Sequence, residues 1–378
     1  MFMGNEEPKL IISDSETDAN IFYVTKFYAP DQFAFIQNGE KKIVVVSDLE
    51  LDRAKTESRV DMVLPYTKYE KIAKKQLGKE PSYIDVIAEV LFDMKIKKVT
   101  VPGNFYVSFA DDLRKKGFKL IIKKEPFLDS REIKCAEEVN NIIMTQRGVE
   151  SALQKAVDYL KKAVIKNGFL FSKRGKKVTS EFIREMINVE LLKNGFIAKN
   201  TIVSCGEQSA VPHNMGEGDL FAHKPIVIDI FPKDEKSGYY ADMTRTIVRG
   251  KASSQIKKMF KAVVSAQELA FVLAKDGVMG DQIHRKVLKH LKDLGFETGK
   301  KNGRMQGFFH GTGHGVGLDV HELPRIGKVK SMLKSGHVVT VEPGLYYPGV
   351  GGVRMEDMIL IADDKCVNLT GFPKVLEI

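Results

Sequence analysis

Thirteen residues at 310–322, HGTGHGVGLDVHE, set His310 and His314 among glycines and add a third histidine at His321. So much glycine disfavours a helix and lets backbone or substrate approach closely. Four more stretches place a carboxylate inside or beside an apolar run. KPIVIDIFP carries Asp229, SGYYADMTRTIVRG carries Asp242, GHVVTVEPGLYYPG carries Glu342 and GGVRMEDMILIAD carries Glu356. Their flanks read as strands buried on at least one face, where an unpaired ionised carboxylate is costly. Ion pairing is one solution, since Arg245 and Arg354 stand close in sequence to two of the acids. Two divalent cations are the other; they balance four carboxylates and acidify a bridging water. His314 is then the candidate nitrogen ligand, and the other histidines are candidate proton-transfer or substrate-orienting groups.

These residues need elements to hold them. Over 1–130, NIFYVTKF, FAFIQNG and KKIVVVSD read as strands, with an Asn-Gly turn at 38–39. YIDVIAEVLFDM has helical apolar spacing, and KKVTVPG and FKLIIKKE read as strands again. The pattern predicts an α/β domain with helices over a mixed sheet. From about 131 a long amphipathic helix is expected, with Ser130 or Asp129 as its N-cap. Residues 131–378 form the second expected domain. Within it, VDYLKKAVIKNG and REMINVELLKNGF are echoed by AQELAFVLAKDG and HRKVLKHLKDLGF. Each pair reads as a long helix, a break and a shorter helix ending in Gly-Phe, followed by strands carrying acids or histidines. Two such units could pack as halves around one cleft.

The chain has 378 residues, enough for two cores, with 43% hydrophobic and 29% charged residues. The opening MFMGNEEPKLIISDSE lacks the basic and apolar regions of a secretory signal, and no run is long enough for a membrane helix. Cys135, Cys205 and Cys366 are odd in number and far apart, which argues for a reducing cytoplasm. The net charge is +10, but the lysines read as scattered over a solvated surface, so no nucleic-acid partner is expected.

Taken together, the motifs resemble the pita-bread metallopeptidase family of creatinase, prolidase and aminopeptidase P, in its Xaa-Pro branch. The resemblance covers essentially the whole chain, with DANIFYVTKFYAPDQFAFIQNGEKKIVVVSDLELDRAK similar to the creatinase-type N-terminal domain. It implies an α/β N-terminal domain over 1–130 and an α+β pita-bread catalytic domain over 131–378 with a pseudo-twofold internal repeat. It implies five metal ligands, Asp229 in VIDIF, Asp242 in ADMTRT, His314 in GTGHGVG, Glu342 in TVEPG and Glu356 in VRMED. It further implies substrate-side catalytic roles for His213 in AVPHN and His321 in LDVHE, with Glu342 as proton shuttle. His310 and Arg354 match a cleft histidine and an arginine beside the last glutamate, both on the substrate side. Two divalent ions are expected, Mn²⁺ or Co²⁺ first, with Zn²⁺ or Fe²⁺ as alternatives. The implied partner is a peptide with proline at its second position; a homodimer is expected and a membrane is not.

One departure from the family pattern is the longer stretch IFPKDEKSGYYA between Asp229 and Asp242, which predicts a longer hairpin at the cleft rim. His223, His284, His290 and His337 read as structural or surface groups, with substitution of His284 close to silent. A methionine aminopeptidase-like enzyme and a catalytically inactive binding module are the competing functions. The separate N-terminal domain argues against the first, and the complete ligand set against the second.

Overall fold

A computed structural model describes residues 7–378. The opening segment 1–6, part of the stretch read as lacking a secretory signal, lies outside the described residues. The chain divides into two compact units, Met1–Arg131 and Glu132–Ile378.

The first unit runs β1 (Lys9–Ser13), α1 (Ala19–Thr25), β2 (Phe33–Asn38), β3 (Lys41–Val46), α2 (Leu51–Glu57), β4 (Met62–Pro65), α3 (Tyr66–Leu77), α4 (Tyr83–Asp93), β5 (Lys98–Pro102), α5 (Val107–Lys115) and β6 (Lys119–Lys123). Its six strands form one mixed sheet in the order β4-β3-β2-β1-β5-β6. Side-chain alternation feeds two cores. Leu10, Ile12, Ala34 and Ile36 bury on one face, while Ile11, Phe33 and Phe35 bury on the other. The Asn38-Gly39 turn joins β2 to β3 as expected, with Gly39 at φ 61°.

Two expectations fail here. NIFYVT is a helix, not a strand, although its aromatic and β-branched residues favour strands. Asp18 decides the matter, because its carboxylate accepts from the backbone N–H of both Asn20 and Ile21. The long helix also starts later than 131. Asp129–Arg131 is a short 3₁₀ turn in which Asp129 pairs with Lys123. The helix begins at Ala136, with Cys135 at its N-cap and Glu138 accepting from the Cys135 N–H.

The second unit opens with that helix, α6 (Ala136–Lys162), then β7 (Val164–Lys166), β8 (Phe169–Phe171), α7 (Ser180–Lys193), β9 (Phe196–Ile197), β10 (Ile202–Cys205), β11 (Ile226–Ile230), β12 (Lys233–Asp234) and β13 (Met243–Ile247). The plan then repeats with α8 (Ser254–Leu273), α9 (Gly280–Asp293), β14 (Gly299–Lys301), β15 (Arg304–Gln306), β16 (Gly313–Gly315), β17 (Glu322–Ile326), β18 (Val338–Val341), β19 (Gly344–Tyr347), β20 (Gly351–Arg354), β21 (Asp357–Ile361) and β22 (Cys366–Asn368). Each helix pair is followed by a sheet, β10-β11-β13 in the first half and β17-β16-β18-β21-β22 in the second. Hydrogen bonds join the halves: Glu356 N–H donates to the Thr244 carbonyl at 3.1 Å, and Arg354 N–H to Thr246 Oγ1 at 2.9 Å.

The long Asp229–Asp242 connection is more than a hairpin. Its β12 pairs with β9, and Asp234 accepts from Ser237 and caps the turn. No helix among the described residues is long and apolar enough to cross a membrane.

Candidate metal centre

The strands deliver the acids by register. Asp229 lies in β11 opposite Thr244 of β13, and Asp242 immediately precedes β13. Val341 pairs with Asp357, so Glu342 leaves β18 just where Glu356 enters β21. His314 lies in β16, at a bulge opposite β17. The glycines around it are there for close approach: a Cβ on Gly313 would overlap the Thr340 carbonyl, and one on Gly315 the Leu323 carbonyl.

Asp229, Asp242, His314, Glu342 and Glu356 line one cavity of about 490 Å³, together with His213, His310, His321 and Arg354. Every residue singled out for chemistry in the sequence therefore faces the same space. Ligand atoms of Asp242, His314 and Glu356 lie within 4.8 Å of one another. His314 Nε2 is 3.7 Å from both Asp242 Oδ2 and Glu342 Oε1. Its Nδ1 lies 3.1 Å from the Gly315 carbonyl, which fixes the proton on Nδ1 and turns the Nε2 lone pair toward the acids.

Ion pairing resolves one acid only. Arg354 donates to Asp229 Oδ2 at 2.7 Å, whereas Arg245 turns away to the buried Asp357. Asp242, Glu342 and Glu356 have no lysine or arginine partner among the described residues. Burial, with Glu356 beside them, raises the Asp242 and Glu342 carboxyls well above their ordinary range. Burial, then the charge of Asp229, pushes Glu356 up to about 8. Asp229 Oδ1 and Asp242 Oδ1 are buried without a hydrogen-bond partner. Buried, mutually repelling carboxylates with orphaned oxygens, beside an unprotonated imidazole nitrogen, are the donor set that a divalent cation satisfies. The residues fit a metal.

The histidines divide by environment. His310 and His314 are both driven down to about 3, chiefly by burial, so they stay neutral. His310 is fully engaged, with Nδ1 2.8 Å from the Gly311 carbonyl and Nε2 2.9 Å from the Tyr346 hydroxyl. Arg354 is engaged as well, donating to Thr244, Tyr346 and the Pro212 carbonyl besides Asp229. His213 and His321 are exposed on the cleft wall, the His321 ring edge-on to His314 at 4.3 Å. Of the other four, His284 and His337 are buried, His290 is half-buried against Ser265, and His223 is exposed.

Three supporting groups escaped the sequence. Thr244 donates to Glu356 Oε2 at 2.7 Å, Tyr346 links His310 to Arg354, and the Thr312 carbonyl accepts the Glu342 N–H at 2.7 Å. Residue type alone does not mark Thr244, Tyr346 or Thr312 as supporting groups.

The model of metallopeptidase family M24 matches residues 141–363, well over half the chain. A Xaa-Pro dipeptidase of Pyrococcus furiosus is 30% identical over 362 residues, 93% of this chain and 90% of the relative. The chain belongs to metallopeptidase family M24. Among solved structures, the prolidase from P. furiosus superposes with a TM-score of 0.78 at 25% identity, covering 97% of each chain. An X-Pro aminopeptidase from Thermotoga maritima gives 0.81 at 25% identity, over 98% of this chain and 97% of that one. The architecture is thus the M24 pita-bread fold carrying an N-terminal domain. Membership of M24 makes the chain a metallopeptidase, and divalent metal is the cofactor its acid cluster fits.

Proposed function

We propose that this M24 chain is a dinuclear exopeptidase that hydrolyses the bond between an N-terminal residue and proline. The carrying observation is the convergence of Asp242, Glu342, Glu356 and the Nε2 face of His314 in one cleft, where none of the three acids has a lysine or arginine ion-pair partner among the described residues. The choice of bond is supported by the relatives named Xaa-Pro dipeptidase and prolidase, which match nearly the full chain.

Asp229, Asp242, His314, Glu342 and Glu356 would hold the two ions, for which Mn²⁺ or Co²⁺ suits an oxygen-rich set, ahead of Zn²⁺ or Fe²⁺. When bound, such ions supply Lewis acidity toward the scissile carbonyl and lower the pKa of the attacking water. Glu342, ionised once the ions are bound, would take the water's proton and pass it to the proline nitrogen. That nitrogen leaves only once protonated. His213 stabilises the developing oxyanion, and His321 binds the substrate carbonyl or the proline side. His310 and Arg354 have their polar atoms already engaged, so we assign Arg354 to holding Asp229 and His310 to holding Arg354 through the Tyr346 hydroxyl.

The three unpaired cysteines support a cytoplasmic enzyme, and a homodimer completes the proposal. Elemental analysis of purified protein tests the metal site. Two divalent ions per chain are expected, with loss of metal and activity in Glu356→Ala. Metal-free wild-type protein after metal-replete purification would contradict it.

A further inference from the structure

A second cavity, of about 560 Å³, shares no lining residue with the metal centre. Its walls are the end of α6, the turn between β8 and α7, and the first turn of α7. Five cationic side chains line it, Lys162, Lys173, Arg174, Lys176 and Lys177, and no carboxylate does. The chain from 159 to 180 holds seven lysines and arginines and no acid, so the turn cannot neutralise itself. Lys177 is paired with Asp219 and lies over the Phe169 ring. Lys162, Lys173, Arg174 and Lys176 have no carboxylate partner among the described residues.

The turn that carries these charges is fixed. Ser172 N–H donates to the Lys176 carbonyl at 2.7 Å, Gly175 N–H to the Ser172 carbonyl at 3.0 Å, and Lys176 N–H to Ser172 Oγ at 3.1 Å. At the α6 end, the Ala163 carbonyl is covered by two donors from Arg249, so it presents no free lone pair to an anion. The remaining wall is aromatic. Tyr159 and Phe182 sit 5.1 Å apart at 51°, and Phe182 is 40% exposed despite its size.

We infer that this cavity binds a nucleoside polyphosphate. A concave space of this size takes a small molecule. Several unpaired cations on one rigid turn suit concentrated charge such as a phosphate chain, to which arginine and lysine donate charge-assisted hydrogen bonds. The exposed Phe182 ring, backed by the half-buried Tyr159, offers a stacking surface for a base. The inference is independent of the peptidase chemistry, because it uses none of the same residues.

Titration calorimetry of the metal-loaded enzyme with MgATP tests it, with adenosine, tripolyphosphate and a single-stranded oligonucleotide as comparison ligands. Saturable one-to-one binding of MgATP is expected, tighter than adenosine or tripolyphosphate. The double variant Arg174→Glu/Lys176→Glu should weaken it at least about tenfold, by exchanging phosphate contacts for repulsion. Phe182→Ala should weaken it by about tenfold, the range for a lost base–aromatic contact. Both variants should keep the wild-type unfolding temperature and peptidase activity, which shows that they fold. Binding that survives the double charge reversal lies elsewhere and overturns the proposal. Tripolyphosphate binding as tightly as MgATP, or the oligonucleotide binding more tightly, overturns the assigned ligand.

Discussion

His284 Nδ1 lies 2.9 Å from the Thr312 hydroxyl, both groups buried behind the metal centre. Thr312 sits between His310 and His314, and its carbonyl takes the Glu342 N–H. Phe308 packs edge-on to both the His284 and His310 rings. His284 therefore props the segment carrying a ligand histidine, and the expectation that its substitution is silent gives way. His284→Ala should lower kcat/KM by about tenfold, since it leaves a cavity and an unbonded hydroxyl. Thr312→Val should act in the same direction, and the double variant should fall short of the product of the two. A multiplicative double variant would show that the 2.9 Å bond is not what matters.

His213→Ala and His321→Ala should each lower kcat by at least about 10²-fold, the range for lost oxyanion or acid–base groups. Both variants should keep their metal, read by elemental analysis. Loss of metal in either would make that histidine a ligand.

Arg354 and Asp229 form a buried pair at 2.7 Å. Arg354→Met removes the cation and strands the carboxylate, at a cost of about 3–5 kcal/mol. Urea unfolding of the metal-free protein measures it directly. Metal should recover part of that loss, because it supplies Asp229 with positive charge.

The pH dependence has a definite sign. Glu356 at about 8, with Asp242 and Glu342 also raised, means that the metal-free cluster keeps protons at pH 7. In the unfolded chain these acids lose their protons near their ordinary values, so the folded state holds more protons up to about pH 8. Stability of the metal-free protein should therefore fall as pH rises from about 6.5 to 8. His310 and His314 do not interfere there; their folded values near 3 cost stability only as pH falls below 6.5. Metal binding must expel the carboxyl protons, so affinity should rise over the same window. Calorimetry in two buffers of different ionisation enthalpy reads the protons released. Affinity independent of pH from about 6 to 8.5 would show the carboxyls already ionised.

Much of the site was legible because its chemistry is unusual for its setting. Acids inside apolar strands and histidines among glycines are costly for a fold and serve it poorly unless they hold a ligand, and Asp229, Asp242, His314, Glu342 and Glu356 all line one cleft. What stayed hidden depends on contacts across the chain. Tyr346, Thr244 and Thr312 matter only because β-strand register and loop returns bring them to Arg354, Glu356 and His284. The α1 segment misled because a single Asp18 cap outweighed a run of strand-like composition. The basic run KRGKK at 173–177 is contiguous in sequence, but the cavity it lines forms only when the turn folds against the end of α6.

The preference for proline after the scissile bond tests the central claim most directly. A pocket for the pyrrolidine ring receives φ already fixed, whereas alanine must be ordered at roughly 1–2 kcal/mol and loses ring contacts. With Mn²⁺-loaded enzyme, kcat/KM for Ala-Pro should exceed that for Ala-Ala by about 10²-fold or more. The ratio should persist when the N-terminal residue is Leu, Phe or Met. Equal rates on Ala-Pro and Ala-Ala, or cleavage confined to an N-terminal methionine, would contradict the assignment.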